Sequence, residues 1–254
     1  MTKDQLAFTR LSGKGVEFGA LHNPVKLDPA KATVIYADKL KRAQAIAAFP
    51  EIEDVAADIV ESDITVDLDR DSLSFIKEQQ LDFVVANHVI EHLVNPIRFL
   101  KLLSTNLKPG GLVFLTVPNM RFTHDQNRKL TRYRTLVAKY YLGTKRLSNE
   151  RIRDYLKYKL PVTNIHPRTV EFFEQNNLPL SYYDGNNIPL NPLSRSRLFS
   201  YHRSRSIHVH VWDRHSFDFF LNRTIDLFKL NFSVDYYAPA EVSEGEMIYL
   251  LKRK

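Results

Sequence analysis

Short apolar runs alternate with amphipathic stretches over the first 120 residues. Five runs are typical of buried β-strands: GVEF (15–18), TVIYA (33–37), DITVDL (63–68), LDFVVAN (81–87) and LVFLTVP (112–118). Helical periodicity follows at 39–49 and 88–107, although Pro96 should break or kink the second of these helices. Apolar strands that are separated by helices predict a parallel sheet with helices on both faces.

The pattern changes between residues 121 and 206. This segment is rich in Tyr, Asn and Pro, and it contains weak helical patterns around 131–142, 148–158 and 168–176. NNIPLNPLSRSR (186–197) has the composition of a long loop. A strand pattern, an amphipathic helix and two further strands follow, at 207–212, 213–230, 232–238 and 246–253. The last two strands predict an antiparallel hairpin, and the whole predicts one domain over 1–254 with an insertion at 121–206.

Charge is distributed unevenly along the chain. The net charge is +7, but residues 1–120 carry 13 Lys and Arg against 16 Asp and Glu, whereas residues 121–160 carry 12 against 3. Residues 195–206 add four arginines and no acid. A local positive field favours an anionic partner, such as a phosphorylated sugar, a nucleotide, a nucleic acid or a membrane surface. A solvated helical face would carry the same pattern.

Cysteine is absent, so disulfides and thiolate chemistry are excluded. The N-terminus lacks the apolar core of a secretory signal, and no run approaches the length of a membrane span. We therefore expect a cytoplasmic protein without a transmembrane segment. The sequence does not indicate an oligomeric state.

Acidic and polar residues follow the ends of the predicted strands. Asp38 ends the second strand 21 positions after Glu17, the spacing at which an acid reaches ribose hydroxyls in dinucleotide sites. Asp67 ends the third strand, where a carboxylate can accept from an adenine amino group, and Asn87 and His88 end the fourth. Ligands bind at the carboxyl ends of parallel strands, so this ordered set predicts a nucleoside site.

The segment LDFVVANHVIEHLVNPIRFLKLLSTNLKPGGLVFLTVPN (81–119) resembles class I S-adenosylmethionine-dependent methyltransferases. VEFGALHNP, FTHDQNRKLT and HVHVWDRHSF resemble a branch associated with bacterial surface glycans and glycosyltransferases. The resemblance implies a Rossmann-like, mostly parallel sheet of seven strands with an antiparallel last strand. It also implies S-adenosylmethionine as the cofactor and O-methylation of a sugar or phosphate-bearing glycan intermediate.

The same resemblance implies a set of cofactor-binding residues: Glu17, Gly19, Ala20, Asp38, Asp67, Asn87 and His88. Leu21 and Asn23 replace the second and third glycines of the usual Glu-x-Gly-x-Gly-x-Gly loop. S-adenosylmethionine has no pyrophosphate to cradle, and Asn tolerates left-handed φ better than most residues. Only 14 residues separate Gly19 from Val34, and prolines interrupt them, so the first crossover helix should be short or vestigial.

The acceptor side is predicted from polar residues in the insertion and beyond it. Arg128 and Thr131 are candidate acceptor-binding residues, because they follow the end of the fifth strand. If residues 207–212 form a strand, His208, His210 and Trp212 would share one face and line an acceptor pocket. A hydroxyl acceptor needs a group that takes its proton, and the candidates are His88, Asp125, His208 and His210.

Other interpretations remain open. HVIEH (88–92) formally matches a zinc-protease pattern, but the adjoining strand and Lys-Pro-Gly-Gly turn favour the nucleotide fold, so no metal is predicted. The basic, Tyr-containing segments are compatible with RNA methylation, without a recognisable RNA-binding module. A non-catalytic basic adaptor that retains the fold is the third alternative. DNA is not a predicted partner; we expect a small-molecule or glycan acceptor, most simply an anionic one.

Overall fold

One sheet of seven strands organises the described residues, 1–157, 167–178 and 192–254 of a computed structural model. The strand order is β3-β2-β1-β4-β5-β7-β6. All neighbours from β3 to β5 are parallel, and β7 is antiparallel to both β5 and β6. The predicted fold class, with an antiparallel last strand and a terminal hairpin, is confirmed. The strands are β1 (Gly13–Phe18), β2 (Ala32–Asp38), β3 (Ile64–Thr65), β4 (Phe83–Asn87), β5 (Leu112–Pro118), β6 (Phe232–Ala238) and β7 (Glu246–Arg253).

Helices flank both faces of this sheet. In the described part of the chain they are α1 (Lys3–Arg10), α2 (Arg42–Ala48), α3 (Ser74–Glu78), α4 (Pro96–Asn106), α5 (Tyr133–Tyr141), α6 (Asn149–Lys157), α7 (Pro167–Gln175), α8 (Pro192–Ser204) and α9 (Arg214–Leu227). Residues 19–31 contain no helix, as expected for a vestigial first crossover. The weak helical patterns in the insertion correspond to α5, α6 and α7, with residue 158 outside the described residues.

The sheet separates two apolar cores, because its side chains alternate between the faces. Val84 and Ala86 of β4 pack with α3, α4, α5 and α9 on one face. Phe83 and Val85 pack with α1 on the other. A third apolar cluster joins α6, α7 and α8 within the insertion. The cofactor end of the sheet is thus held by a rigid, doubly covered frame, with the insertion packed around its own small core.

The helical pattern after β4 was predicted to be broken or kinked at Pro96, and the structure has the break. A 3-10 turn, Ile90–His92, comes first, and α4 then begins at Pro96. Asn95 caps α4, since its side chain accepts a hydrogen bond from Arg98 N at 3.1 Å. Pro is well tolerated at the first helical position, where its missing N–H would have no partner. Pro96 therefore starts the helix instead of bending it.

Three further sequence expectations need correction. Residues 207–212 are not a strand; their N–H groups bond to separate partners, such as Glu91 O and Thr131 Oγ1. The predicted loop at 186–197 contains the start of α8, and its first part, 186–191, lies outside the described residues. The helix α1, which Thr2 caps in a box with Gln5, was not predicted. Long-range hydrogen bonds set the backbone of residues 207–212, and the Thr2 cap begins α1.

Candidate active site

A cleft of about 370 Å³ opens at the carboxyl ends of β1, β2, β3 and β4. This volume lies within the usual range for small-molecule sites. The strand ends contribute apolar, acidic and imidazole side chains to its wall. These strand-end residues are Phe18, Gly19, Ala37, Asp38, Val66, Asp67, His88 and Val89. The cleft lies at the strand ends where the sequence predicts a ligand site.

The loop after β1 brings main chain to the cleft at Gly19. Gly19 has φ +64°, a conformation that glycine adopts without strain, and its N–H donates to Ala37 O at 3.1 Å. A Cβ at this position would lie 3.3 Å from Val89 Cγ2. Leu21, which also has positive φ, lines the cleft, whereas Ala20 is buried behind it. The single retained glycine is the one that the geometry requires.

Glu17 supports this loop from behind. Its carboxylate is fully buried, and both oxygens accept the N–H of Val25, at 3.0 and 3.2 Å. Burial raises the pKa of Glu17 to about 8, although the Val25 N–H and Lys3 act in the opposite direction. Glu17 is not part of the cleft wall. Its position indicates that it holds the loop between β1 and β2 and does not itself face a ligand.

Three carboxylates face the cleft from the ends of β2 and β3. Asp38 accepts the Leu40 N–H at 3.0 Å, and burial raises its pKa. Asp67 accepts the Asp69 N–H at 3.0 Å. Asp69, which sequence reasoning missed, accepts the N–H groups of Val94 and Asn95. The alternating acids of DLDRD were the available signal, but the contact depends on a loop 25 residues away.

Asn87 and His88 occupy different depths at the end of β4. Asn87 is buried and lies outside the cleft wall; its Oδ1 accepts from Thr116 Oγ1 at 2.6 Å. His88 has φ +53° and faces the cleft. Its Nε2 lies 3.1 Å from Glu246 Oε1, and its Nδ1 lies 3.3 Å from Glu91 Oε1. Burial would lower the pKa of His88, but these two carboxylates outweigh it and raise the pKa to about 9.

Asp125, Arg128 and His208 lie together, outside the cleft wall. Arg128 is buried; its Nη1 donates to Asp125 Oδ1 at 2.7 Å and to His208 O at 2.8 Å, and its Nη2 to Asp154 at 3.1 Å. His208 Nδ1 hydrogen-bonds Asp125 Oδ2. Asp125, Asp154 and His208 O thus accept hydrogen bonds from the Arg128 guanidinium, which was predicted to bind an acceptor.

The predicted pocket face of His208, His210 and Trp212 does not form. His210 is buried beside Thr131, with Nδ1 3.4 Å from Thr131 Oγ1, and burial lowers its pKa well below the ordinary value. Trp212 is 2% exposed and stacks on Phe220 at 5.4 Å between ring centroids. The expectation required a regular strand at 207–212, and the irregular backbone there sends His208 in a different direction.

Basic side chains of the insertion also line the cleft, and no individual residue among them was predicted as a site residue. They are Lys145, Arg146, Arg203 and Arg205. The Arg205 side chain is 8% exposed; it bonds to Glu51 and Tyr201 and lies over the Phe49 ring, with its Cζ 4.8 Å from the centroid. Lys145 and Arg146 are exposed. The charge excess of the two segments was the available signal, but it did not show which of their cations line the cleft.

A cleft at the carboxyl ends of parallel strands, with acids at the ends of β2 and β3, defines a nucleoside-binding α/β protein. A model of the methyltransferase domain family matches residues 11–176, more than half of the chain. The chain therefore belongs to the methyltransferase domain family. It is an enzyme, and S-adenosylmethionine is its methyl donor. A search of curated protein sequences gave no match.

Solved structures resemble the chain at low identity. A Rhodobacter sphaeroides protein described as a zinc-dependent alcohol dehydrogenase has a TM-score of 0.48 and 11% identity, over 99% of this chain and 89% of its own. A Listeria monocytogenes protein described as an S-adenosylmethionine-dependent methyltransferase has a TM-score of 0.46 and 11% identity, over 96% of this chain and 90% of its own. A Methanosarcina mazei protein described as an S-adenosylmethionine-dependent methyltransferase has a TM-score of 0.42 and 13% identity, over 97% of this chain and 94% of its own. These likenesses are too distant to support a functional conclusion.

The residues of the cleft fit S-adenosylmethionine. Gly19 has no side chain, so its main chain can approach a ligand closely. A Cβ at this position would also crowd Val89. Half-buried Asp38 suits ribose hydroxyls, and Asp67 suits an adenine amino group. Apolar side chains between these carboxylates, such as Leu40 and Val66, suit the adenine faces. The acidic wall also complements the positive charge of a sulfonium.

Proposed function

We propose that this methyltransferase O-methylates a small anionic acceptor, such as a sugar or a phosphate-bearing glycan intermediate. One observation carries the proposal: the cleft is lined both by acids that follow β2 and β3 and by basic side chains of the insertion. A sulfonium and an anion would thus be placed side by side, each against charges of the opposite sign. The basic insertion, residues 121–206, would act as the cap on the acceptor side.

Lys145 and Arg146 are the best placed to attract the acceptor. Both line the cleft and both are exposed, so their charges can reach an incoming anion. Arg203 and Arg205 are engaged by the protein, through Leu147 O and Glu51 respectively. These two arginines would shape the wall, while Lys145 and Arg146 would contact phosphate or carboxylate oxygens.

His88 is the one candidate proton acceptor that lines the cleft; Asp125, His208 and His210 do not. It follows β4 directly, at the place where the donor methyl is expected. S-adenosylmethionine supplies an electrophilic methyl group, which an acceptor oxygen attacks as the carbon–sulfur bond breaks. His88 would orient that hydroxyl. Because the pKa of about 9 keeps the imidazole protonated at neutral pH, its neutral form, which increases as the pH rises toward 9, would take the hydroxyl proton.

His88→Ala should separate binding from turnover. We expect S-adenosylhomocysteine affinity to change less than about threefold and kcat to fall about 100-fold or more, the usual contribution of a positioned proton-transfer group. His215→Ala is the matched control, because His215 is exposed on α9 and does not line the cleft. Isothermal titration gives the affinity, and release of S-adenosylhomocysteine gives the rate. An unchanged kcat in the His88 variant would remove His88 from the mechanism.

The acceptor class is tested by comparing substrates. Methyl transfer from labelled S-adenosylmethionine should occur with nucleotide sugars or phosphosugars and be slower with their neutral counterparts. Transfer to RNA, with binding that falls steeply with salt, would favour the RNA alternative instead. Failure of S-adenosylhomocysteine to bind at millimolar concentration would contradict the enzyme and leave the adaptor interpretation.

A further inference from the structure

A buried cluster beside the cleft contains one carboxylate and two imidazoles. Within the described residues, Glu91, His92 and His208 each offer one ligand atom, and these atoms all lie within 4.8 Å of one another. Glu91 is 0% exposed, and neither carboxylate oxygen accepts a well-formed hydrogen bond. A buried carboxylate is costly unless cations or hydrogen-bond donors compensate it. His88, with Nδ1 3.3 Å from Oε1, compensates Glu91 in part, and Oε2 has no hydrogen bond among the described residues.

Backbone hydrogen bonds hold the segment that carries His208 beside the turn that carries Glu91 and His92. The N–H groups of Val209 and His210 both donate to Glu91 O, each at 2.9 Å. His208 is therefore held beside the Ile90–His92 turn, and its ring lies 4.9 Å from the His92 ring, edge to face. The arrangement does not depend on flexible side chains alone.

Asp125 orients the His208 ring. His208 Nδ1 hydrogen-bonds Asp125, which leaves Nε2 as the available ligand atom. A carboxylate on the second ring nitrogen is the usual outer-shell partner of a metal-bound histidine, because it fixes the ring and increases its basicity. Asp125 and His208, each predicted separately as a candidate proton acceptor, have the geometry of such a support.

A second grouping, His124, Asp125 and His208, is less suitable for a cation. Arg128 Nη1 lies 2.7 Å from Asp125 Oδ1, so a guanidinium already neutralises that carboxylate and would repel an ion. Glu91 has no Arg or Lys ion pair among the described residues; the imidazoles of His88 and His92 lie 3.3 and 3.6 Å from its Oε1. The two groupings share His208, so one ion at most can use it.

We propose that Glu91, His92 and His208 form a binding site for a divalent transition-metal cation, with Zn²⁺ as the best match to two imidazole nitrogens and one carboxylate oxygen. Three protein ligands leave one coordination position open. His92 lines the cleft, as do both neighbours of His208, Ile207 and Val209, so the ion would lie at the cleft wall. The zinc-protease pattern is not involved, because residues 88–92 are not an α-helix and His88 and His92 do not form its i, i+4 pair.

The open position would accept an oxygen of the acceptor, which extends the proposed function and rests on it. Metal binding itself does not rest on it. If S-adenosylhomocysteine fails to bind but Zn²⁺ binds at this site, the proposed function fails and the metal site stands. If the cofactor binds and Zn²⁺ does not, the metal site fails and the proposed function stands.

Calorimetric titration of Zn²⁺ into chelator-stripped, tag-free protein tests the site. We expect one ion per chain for the wild type, and affinity lowered about 100-fold or more in His92→Gln and His208→Gln. His215→Gln, at an exposed histidine, should bind as the wild type does. Thermal denaturation without metal verifies that the variants fold. Absence of binding at millimolar Zn²⁺, or equal affinity in all the variants, would overturn the proposal.

X-ray absorption of the zinc-loaded wild type provides a test that needs no variant. We expect a shell of nitrogen and oxygen ligands with the scattering pattern of two imidazoles. A spectrum without imidazole scattering would place the ion elsewhere and refute the assignment. This outcome does not depend on the folding of any mutant.

Discussion

Glu17 follows the cofactor-site pattern of the sequence, but it does not line the cleft. The family pattern implies a cofactor-binding acid, but the structure buries this carboxyl under the loop and joins it to Val25 N. Burial disfavours the ionised carboxylate and raises the pKa of Glu17 from 4.5 to about 8. The folded protein therefore binds this proton more tightly than the unfolded chain does.

Glu17→Gln should change the pH dependence of stability. The raised pKa contributes stability that is fully present below about pH 4.5 and is lost as the pH rises through 8. We expect the wild type to lose about 2–3 kcal/mol more of its unfolding free energy between pH 6 and pH 9 than the Gln variant, which cannot ionise. Urea denaturation at both pH values measures this difference. Parallel losses in the two proteins would show that Glu17 titrates normally.

Asp38 tests the cofactor wall at the same scale. Asp38→Ala should weaken S-adenosylhomocysteine binding about 10- to 100-fold, because hydrogen bonds to a charged acceptor contribute about 1.5–3 kcal/mol. Asp58→Ala is the control, since Asp58 is exposed and outside the cleft. Isothermal titration measures both variants. Equal affinities would mean that the ribose lies elsewhere.

At the scale of the element, caps and loops decided where helices begin. Apolar periodicity correctly predicted a helix after β4, but it could not show whether Pro96 bends or starts that helix. The cap by Asn95 resolves this, and its side chain is 2% exposed. The cap also fixes the loop whose N–H groups bind Asp69 at the cleft.

Asn95→Ala should destabilise the protein by about 1–2 kcal/mol, the usual cost of losing an N-cap, raised here by burial. Asn222→Ala is the matched control: Asn222 is exposed in the middle of α9, where Ala has the higher helix propensity. Urea denaturation gives both values. A loss no greater in Asn95→Ala than in the control would show that Pro96 alone starts α4.

At the scale of the whole molecule, the charge asymmetry of the sequence becomes a polar cleft. Acids from the sheet and bases from the insertion meet across one cavity, although they are more than 70 residues apart in the chain. None of the helices among the described residues combines the length and the apolar character that a membrane crossing requires. A cytoplasmic location stays a prediction.

Replacing Lys145 and Arg146 together by Ala should raise KM for an anionic acceptor about tenfold or more, with S-adenosylhomocysteine affinity unchanged. The control is the double variant Lys14→Ala and Lys252→Ala. It removes two exposed charges at the amino ends of the parallel strands, away from the cleft. Initial rates at low and high salt measure the effect. An equal rise in KM in both double variants would indicate a general loss of charge attraction and not an acceptor site.

The sequence determined the order and type of most elements, the terminal hairpin and the acids at the strand ends. These features depend on local periodicity and on the rule that parallel strands end at one edge, so they follow directly from residue order. The choice of S-adenosylmethionine also follows, from a resemblance that the family match supports.

Tertiary structure alone decided which histidines face the cleft and which are buried. His88 faces it, His210 and Trp212 are core residues, and His208 joins Glu91 and His92 across 116 positions of the chain. The physical reason is that residues 207–212 lack a regular strand, so alternation does not apply to them. Their direction is fixed by hydrogen bonds to Glu91 O and to Thr131, and such long-range partners leave no periodic signal in the sequence.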